Sequence, residues 1–323
     1  MNISYTSQDI DIIRCFKNVS TYFYQEGDEY AWNISCEDEQ FPTDSQIPLY
    51  FILDSANNAA FSHWVYESST WLPKFQEILL KYPSCLLVID TFKSYKKLFT
   101  LFYGIPQECI RFKSEIQPTN YCLFHLYTSL NDPHIPSIYF SNLTDYKEKL
   151  DRYTEIKDIP LLYLPRGKKE NFIGPNNRSY DIQEKLKELV WELGGTVYET
   201  DSTRSIVNQI QIVKRSHIVI LDYGSNLWVN GMFAEKSSLL CLNIGWKQHE
   251  QFPSLKTIWN EIQTKNTLYQ VFAKPCSEIP VNSDGVPITQ FDMTTVVRTL
   301  LSLKETLYEK STKKKEEISQ PQL

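Results

Sequence analysis

A histidine and a glutamate four residues apart lie early in the chain, in the segment FSHWVYE. If this segment is helical, the spacing places His63 and Glu67 on one face, a single turn apart. A carboxylate that fixes an imidazole makes a general base, which can take the proton from an attacking hydroxyl group. The spacing also fits a surface pair, or a histidine packed beside Trp64, and taken alone it favours that plainer interpretation.

Basic residues cluster after a predicted strand, in the segment LPRGKKENFIGPNNRS. Arg166 stands at the strand end, Lys168 follows closely, and Arg178 lies just before a predicted helix. Guanidinium groups fixed at a strand end and a helix start suit the oxygen atoms of a phosphate. An ordinary basic loop is the alternative. That alternative would normally be favoured, but the contrast between this basic loop and an acidic chain, with 33 Lys and Arg against 39 Asp and Glu, strengthens the case for a binding role.

Two other strand ends carry small polar residues. Asp201 lies among hydroxyl residues in ETDSTRS, which can bind a ligand or, more simply, cap the helix that follows. The segment SHIVILDYGSNLWVNGMF passes from a buried strand into a helix through Tyr223, Gly224, Ser225 and Asn226. The first N–H groups of such a helix attract anions. We therefore expect this turn to hold a phosphate or a sugar through its N–H groups, Ser225 and Asn226, with Tyr223 stacking on a ring.

Several cofactor and metal motifs are missing from the sequence. It has no G-x-G-x-x-G or P-loop motif, which weakens a nicotinamide-dependent or P-loop interpretation, and no H-E-x-x-H or G-x-S-x-G motif. The one Asp-x-Asp pair, Asp9 and Asp11, lies near the N-terminus and away from any predicted strand end. The seven cysteines are scattered and never form a C-x-x-C pair. We expect no metal, no disulfide framework and no separate cofactor.

Composition limits the class of protein. The chain has 323 residues, of which 42% are hydrophobic, enough to bury the cores of two domains. Its net charge of −6 argues against nucleic acid as a partner. No apolar stretch reaches the ~18 residues that suggest a membrane span, and the N-terminus lacks the pattern of a signal peptide. Together with the scattered cysteines, these features predict a cytoplasmic protein.

The chemical candidates lie in two runs of alternating strands and helices, which predict parallel sheets with crossover helices. In residues 1–150, the segments IPLYFILD and SCLLVID are typical of buried strands, and a helical segment carrying His63 lies between them. In residues 151–290, the strands IPLLYLPR, HIVILDYG and SLLCLNIG alternate with helices, the first of which is capped by Asp181. Residues 291–323 predict a helix and a frayed, charged tail. We expect two doubly wound, Rossmann-like domains that face a ligand-binding cleft.

Four segments together resemble glycosyltransferase family 61. HWVYESSTWLP, LPRGKKENFIGPNNRSYDIQEKL, SIVNQIQIVKRSHIVILDYGSNLWVNGMF and SLLCLNI follow one another in the order of that family's motifs, over roughly residues 55–244. The chain departs from the family pattern at several places. Ala60 stands for the motif asparagine, and Tyr223 stands for the histidine of the last motif.

The resemblance implies the GT-B arrangement of two Rossmann-like domains, a nucleotide-sugar donor held mainly by the C-terminal domain, and inversion at the anomeric carbon. Residues 1–150 would hold the acceptor and the base, His63 with Glu67. The expected donor contacts are Arg166, Lys168, Arg178, Asp201, Tyr223, Gly224, Ser225 and Asn226. Expulsion of a nucleoside diphosphate builds charge on its phosphates, and no Asp-x-Asp pair is placed to hold a metal there. We therefore expect Arg166, with the two other basic residues, to neutralise the leaving group.

The predicted activity is the transfer of a hexose or a pentose from a nucleotide sugar to a glycan or another hydroxyl acceptor. Tyr223 at the histidine position motivates an alternative, a catalytically inactive member that binds a glycan or a nucleotide or acts as a scaffold. A third alternative is an unrelated nucleotide-dependent enzyme built on two Rossmann-like domains.

Overall fold

The chain divides into two compact units. The computed structural model describes residues 15–26, 29–39, 49–55, 72–89, 104–112, 115, 122–128, 157–165, 179–199, 206–245, 250, 253–274 and 288–319. Unit 1 comprises Met1–Glu148, Ser205–Val207 and His249–Lys256, and unit 2 comprises Lys149–Arg204, Asn208–Gln248 and Thr257–Leu323. Both units are mixed α/β and contain parallel strands, which confirms the predicted α/β class with Rossmann-like parallel sheets.

Unit 1 is built on a six-stranded sheet with a parallel centre. Its strands are β1 (Cys15–Glu26), β2 (Glu29–Glu39), β3 (Leu49–Ser55), β4 (Leu86–Ile89), β5 (Ile110–Phe112) and β6 (Cys122–Thr128). They lie in the order β2-β1-β6-β3-β4-β5. Strands β3 to β6 run parallel, whereas β1 pairs antiparallel with β2 and β6.

Helix α1 (Leu72–Lys81) covers part of this sheet through an apolar stripe. Leu72, Phe75 and Ile78 recur at three-residue steps, lie on one face of the helix and are buried. The ring of Phe75 lies 5.5 Å from the ring of Phe51 on β3. Burial of this stripe, rather than helix propensity, holds so short a helix in place.

The chain changes direction across the sheet of unit 1 at β3. From β3 it moves to β4 and β5 on one side, and it then returns to β6 on the other. The carboxyl ends of β3 and β6 lie side by side, since Asp54 pairs with Tyr127 and Ser55 with Thr128. Sheets of this kind bind ligands in the crevice beside such a switch.

Unit 2 contains a five-stranded parallel sheet and a separate strand pair. Its strands are β7 (Ile159–Tyr163), β8 (Ser179–Tyr180), β9 (Thr196–Val197), β10 (Ser216–Asp222), β11 (Ser238–Asn243), β12 (Thr267–Phe272) and β13 (Ile288–Thr289). The order in the large sheet is β12-β11-β10-β7-β9, and β8 pairs with β13. The later helices are α2 (Gln183–Glu192), α3 (Ile206–Arg215), α4 (Ser225–Phe233), α5 (Pro253–Lys265) and α6 (Met293–Ser319), of which α3 and α5 have their first residues grouped with unit 1.

One continuous core fills unit 2 on the side of α2 and α6. Its strand and helix members include Leu161, Ile218, Ile220, Leu240, Leu242, Leu186, Val190, Val296, Leu300 and Leu303. The strand members alternate along each strand, as the two-residue period of a strand requires. The helix members recur at steps of three and four residues, as the period of ~3.6 residues in a helix requires. The C-terminal helix is therefore part of the core of unit 2.

Two local predictions are wrong. The N-cap of α2 is Ile182, without a side-chain cap, because the Asp181 carboxylate instead accepts a hydrogen bond from the N–H of Phe291, at 3.0 Å. The tail predicted to fray continues as helix to Ser319. Lysine and glutamate, which are frequent in this segment, are good helix formers.

The sequence patterns do not predict two parts of the fold, the β1–β2 pair and β12. The first ~45 residues show no clear periodicity, yet they contain the long antiparallel pair β1 and β2. Strand β12 lies at the edge of the unit 2 sheet and buries mainly Val271. Edge strands are half-exposed, so their sequences lack the continuous apolar run of a central parallel strand.

Candidate functional site

The chain switches direction in the sheet of unit 2 between β7 and β10. Strand β9 follows β7 on one side, and β10, β11 and β12 follow in order on the other. The carboxyl ends of β7 and β10 therefore border the crevice in which sheets of this topology bind ligands. Residues 223–226, hereafter the switch-point turn, connect β10 to α4 at this crevice.

Helix α4 begins inside the switch-point turn. Its N-cap, Gly224, has φ 127° and ψ −148°, a conformation that favours glycine. The Gly224 carbonyl accepts the first helical hydrogen bond from the N–H of Trp228, at 3.0 Å. Gly224 and Ser225 are partly exposed, and the N–H groups of a first helical turn have no partners within the helix. The predicted helix start is confirmed, whereas anion binding there stays a prediction.

Tyr223 is a packing residue. Its side chain is 1% exposed, and its ring centroid lies 5.2 Å from that of Trp228 and 6.2 Å from that of Trp259 on α5. Its N–H donates to the carbonyl of Leu242, at 3.0 Å, and ties the turn to β11. The ring is therefore buried among indoles, and the expected stacking of Tyr223 on a donor ring stays a prediction.

The side chain of Asn226 joins the two strand ends. Its Nδ2 donates to the carbonyl of Leu164 just after β7, at 2.9 Å, and to Oδ1 of Asp222 at the end of β10, at 2.8 Å. Both amide hydrogens are thereby used. The donors of the Asn226 side chain therefore bond the framework of the crevice, and a contact between Asn226 and a sugar donor stays a prediction.

The remaining predicted site residues lie outside the described residues. They are His63, Glu67, Arg166, Lys168, Arg178 and Asp201. Three described features of the backbone lie near these residues in the chain. Strand β3 ends before the segment of His63, the buried Pro165 directly precedes Arg166, and α3 begins shortly after Asp201.

A second polar cluster lies at the amino ends of the strands in unit 2. Lys157 donates to the carbonyl of Ser216, at 2.8 Å, and to Oγ of Ser237, at 2.6 Å. Burial lowers the pKa of Lys157 to about 8, and burial also lowers the pKa of His217 beside it. The cluster connects the starts of three strands, at the opposite edge of the sheet from the switch-point turn. Its only sequence signal is a serine at the start of β10 and another just before β11, so sequence reasoning misses it.

Tyr163→Phe is expected to raise the free energy of unfolding by about 1 kcal/mol. The Tyr163 side chain is 1% exposed, burial raises its pKa above the usual range, and no described residue supplies its hydroxyl with a hydrogen bond. Phenylalanine keeps the ring and removes the cost of the buried hydroxyl. Urea unfolding measures the change, with the 37% exposed Tyr269 changed to Phe as a neutral control. A less stable Tyr163→Phe protein would reveal a partner for the hydroxyl.

An open cleft in unit 1 lies apart from every predicted site residue that the structure describes. It has a volume of about 760 Å³ and is lined by Gln107, Glu108, Ile110, Arg111, Phe112 and Glu115. Nη1 of Arg111 donates to the carbonyls of Glu108 and Ile110, at 2.7 and 2.8 Å. The guanidinium is therefore held by the backbone of its own strand, β5, and of the turn that precedes it.

Two other kinds of feature are missing from the described part of the chain. Its His, Cys, Asp and Glu side chains form no group of three that could hold a metal ion. None of its helices combines the length and the apolar content needed to cross a bilayer. Among known proteins, no family model matches the chain, and no curated protein matches it significantly.

Proposed function

We propose that the protein is a glycosyltransferase that moves a sugar from a nucleotide-sugar donor to a hydroxyl of a glycan or another acceptor, with inversion and without a metal ion. The observation that carries this proposal is the switch point of unit 2. There the start of α4 lies beside the end of β7, from which the chain runs into the basic segment of Arg166. Glycosyl transfer is proposed as the reaction because four segments of the chain follow the order of the motifs in glycosyltransferase family 61.

In this proposal the donor diphosphate lies at the switch-point turn. Backbone N–H groups of the first turn of α4 and the hydroxyl of Ser225 bind its oxygen atoms. Arg166, with Lys168 and Arg178, neutralises the charge that builds as the nucleoside diphosphate leaves. Asp201 lies in the segment before α3 and contacts the sugar or the nucleoside.

The acceptor is activated from unit 1. His63 follows the end of β3 by eight residues (63 − 55), and β3 and β6 form the switch point of that sheet. Glu67 accepts from one ring nitrogen and leaves the other for the acceptor hydroxyl. The two sheets then act as the acceptor and donor domains of a GT-B arrangement, residues 1–150 and 151–290.

An inactive binding protein is the second candidate. Tyr223, which stands at the position of the family's motif histidine, is buried against Trp228 and Trp259. A buried aromatic ring cannot replace an imidazole that contacts the donor. Such a protein would bind a nucleotide or a glycan without turning it over.

Incubation of the purified chain with a panel of nucleotide sugars and glycan acceptors tests the proposal. Mass spectrometry of the products, with the heat-denatured chain as the blank, detects transfer and separates it from hydrolysis of the donor. A glycosylated acceptor supports the transferase. Nucleotide binding without any product would select the inactive candidate, and a different nucleotide-dependent product would select an unrelated enzyme.

Transfer is expected to survive an excess of EDTA, because no Asp-x-Asp pair stands at a predicted strand end and basic residues take the role of the metal. Initial rates with EDTA are compared with rates in EDTA already saturated with calcium, which controls for ionic strength. Loss of activity that Mn²⁺ restores would contradict the metal-independent route.

A further inference from the structure

Four polar side chains form a continuous hydrogen-bonded chain behind the switch-point turn. Nε2 of Gln209 on α3 donates to Oδ1 of Asn230, at 2.7 Å. Nδ2 of Asn230 donates to Oδ1 of Asn226, at 2.5 Å, and Nδ2 of Asn226 donates to Oδ1 of Asp222, at 2.8 Å. We call these four residues the amide relay. Three of them are buried, and Asn226 is partly exposed at the turn.

The Asp222 carboxylate sets the direction of the whole relay. An ionised carboxylate can only accept, so Asn226 must present its NH₂ group to Asp222 and its carbonyl oxygen to Asn230. Asn230 must then present its own NH₂ group to Asn226 and its oxygen to Gln209. Hydrogen bonds aligned in one direction polarise one another in a low dielectric. One buried charge therefore fixes three amide orientations.

The orientation of Asn226 has a consequence for the site. Because its NH₂ group faces the strand ends, its second hydrogen reaches the carbonyl of Leu164, at 2.9 Å. Leu164 lies two residues before Arg166, and Asn226 itself lies in the first turn of α4. The Asn226 amide thus joins two elements. One is the backbone at Leu164, which leads to the basic segment, and the other is the start of α4 at the crevice.

We propose that Asp222 and Asn226 are positioning residues, which hold the end of β7 and the start of α4 at the separation that a nucleoside diphosphate requires. The inference rests on the proposed function, because it takes both elements to bind the donor. Neither side chain contacts the ligand. Asp222 acts through the orientation of Asn226, and Asn226 acts through its bond to Leu164.

The Asp222→Asn variant distinguishes the positioning role of Asp222 from a purely electrostatic effect of its charge on the bound anion. Removal of a buried negative charge close to an anion site should by itself tighten the binding of a diphosphate. The positioning role predicts the opposite. An amide at residue 222 can donate as well as accept, so the orientation of Asn226 is no longer imposed and its bond to Leu164 is not maintained.

The experiment is calorimetric titration of the full chain with uridine, guanosine, adenosine and cytidine diphosphates, combined with thermal unfolding. Asp222→Asn and Asn226→Ala are each expected to raise the Kd for the nucleoside diphosphate roughly tenfold. This loss of affinity is equivalent to one charge-assisted hydrogen bond. Ser237→Ala is the matched control. It removes a buried hydrogen bond to the carbonyl of Ser216 at the other edge of the same sheet, so it should lower the Tm and leave the affinity unchanged.

The outcomes separate the inference from the proposed function. Weaker binding by Asp222→Asn, at a Tm no lower than that of Ser237→Ala, supports the positioning role. Equal or tighter binding by Asp222→Asn overturns it while the proposed function stands. If the native chain binds none of the four diphosphates, the proposed function is wrong, and the positioning role falls with it.

Discussion

The His63→Ala protein is expected to transfer sugar at least about a hundredfold more slowly than the native chain, the scale on which a lost general base acts. In the proposed mechanism, His63 takes the proton of the acceptor hydroxyl as that oxygen attacks the anomeric carbon. The proposal assigns donor binding to unit 2, so the Kd for the nucleoside diphosphate should stay within about twofold, a change of under 1 kcal/mol. Single-turnover rates and calorimetric affinities for the same preparation measure the two effects.

Glu67→Gln refines this test. A glutamine still accepts a hydrogen bond from the imidazole but no longer stabilises its charged form, so the loss of rate should be smaller. The pKa of the base should fall, because the neighbouring negative charge is gone, and the acidic limb of the pH–rate profile should move to lower pH.

A histidine that only packs predicts another result, a lower Tm with normal turnover. His217→Ala serves as the control, since His217 is a half-buried histidine at the amino edge of the unit 2 sheet, away from the switch-point turn. It should lose stability and keep its rate. A stable His63→Ala protein with full turnover would remove His63 from the mechanism.

The Arg166→Ala protein is expected to lose about 2–4 kcal/mol of transition-state stabilisation, which corresponds to roughly 30- to 1000-fold in kcat/KM. The backbone directly before Arg166 is held in place, because Pro165 is buried and the carbonyl of Leu164 accepts a hydrogen bond from the Asn226 side chain. The affinity for nucleoside diphosphate should fall as well, because this product carries the charge that Arg166 neutralises.

Arg298→Ala is the matched control for this loss. Arg298 is an exposed arginine on α6, so its removal changes the net charge equally without affecting the switch point. Its kinetics and nucleotide affinity should equal those of the native chain. An Arg166→Ala protein that behaves like Arg298→Ala would exclude Arg166 from the phosphate site and leave the basic segment as an ordinary loop.

Most local elements of both units, with the exception of β1, β2 and β12, follow from the sequence because each depends on residues near it in the chain. HIVILDYG and SLLCLNIG are continuous apolar runs too short for helices, and they form β10 and β11. Gly194, with φ 72°, ends α2 where the Gly194–Gly195 pair predicts. The turn before α4 is likewise local, since Gly224 alone supplies its unusual backbone conformation.

Only the tertiary structure decided what the side chains of the switch-point turn do. Asn226 and Tyr223 were both ligand candidates by residue type, yet Asn226 binds a carbonyl 62 residues away and Tyr223 packs against Trp259 on α5. Asp181 shows the same effect, since its partner lies 110 residues along the chain. A sequence pattern reports which side chains can bond, but the fold brings distant partners within reach, and a buried donor or ring is stabilised by whichever partner lies there. The sequence alone therefore determined most of the strands and helices and the turn, whereas strand order, packing and long-range hydrogen bonds decided that the Asn226 amide bonds the two strand ends and that the Tyr223 ring is buried.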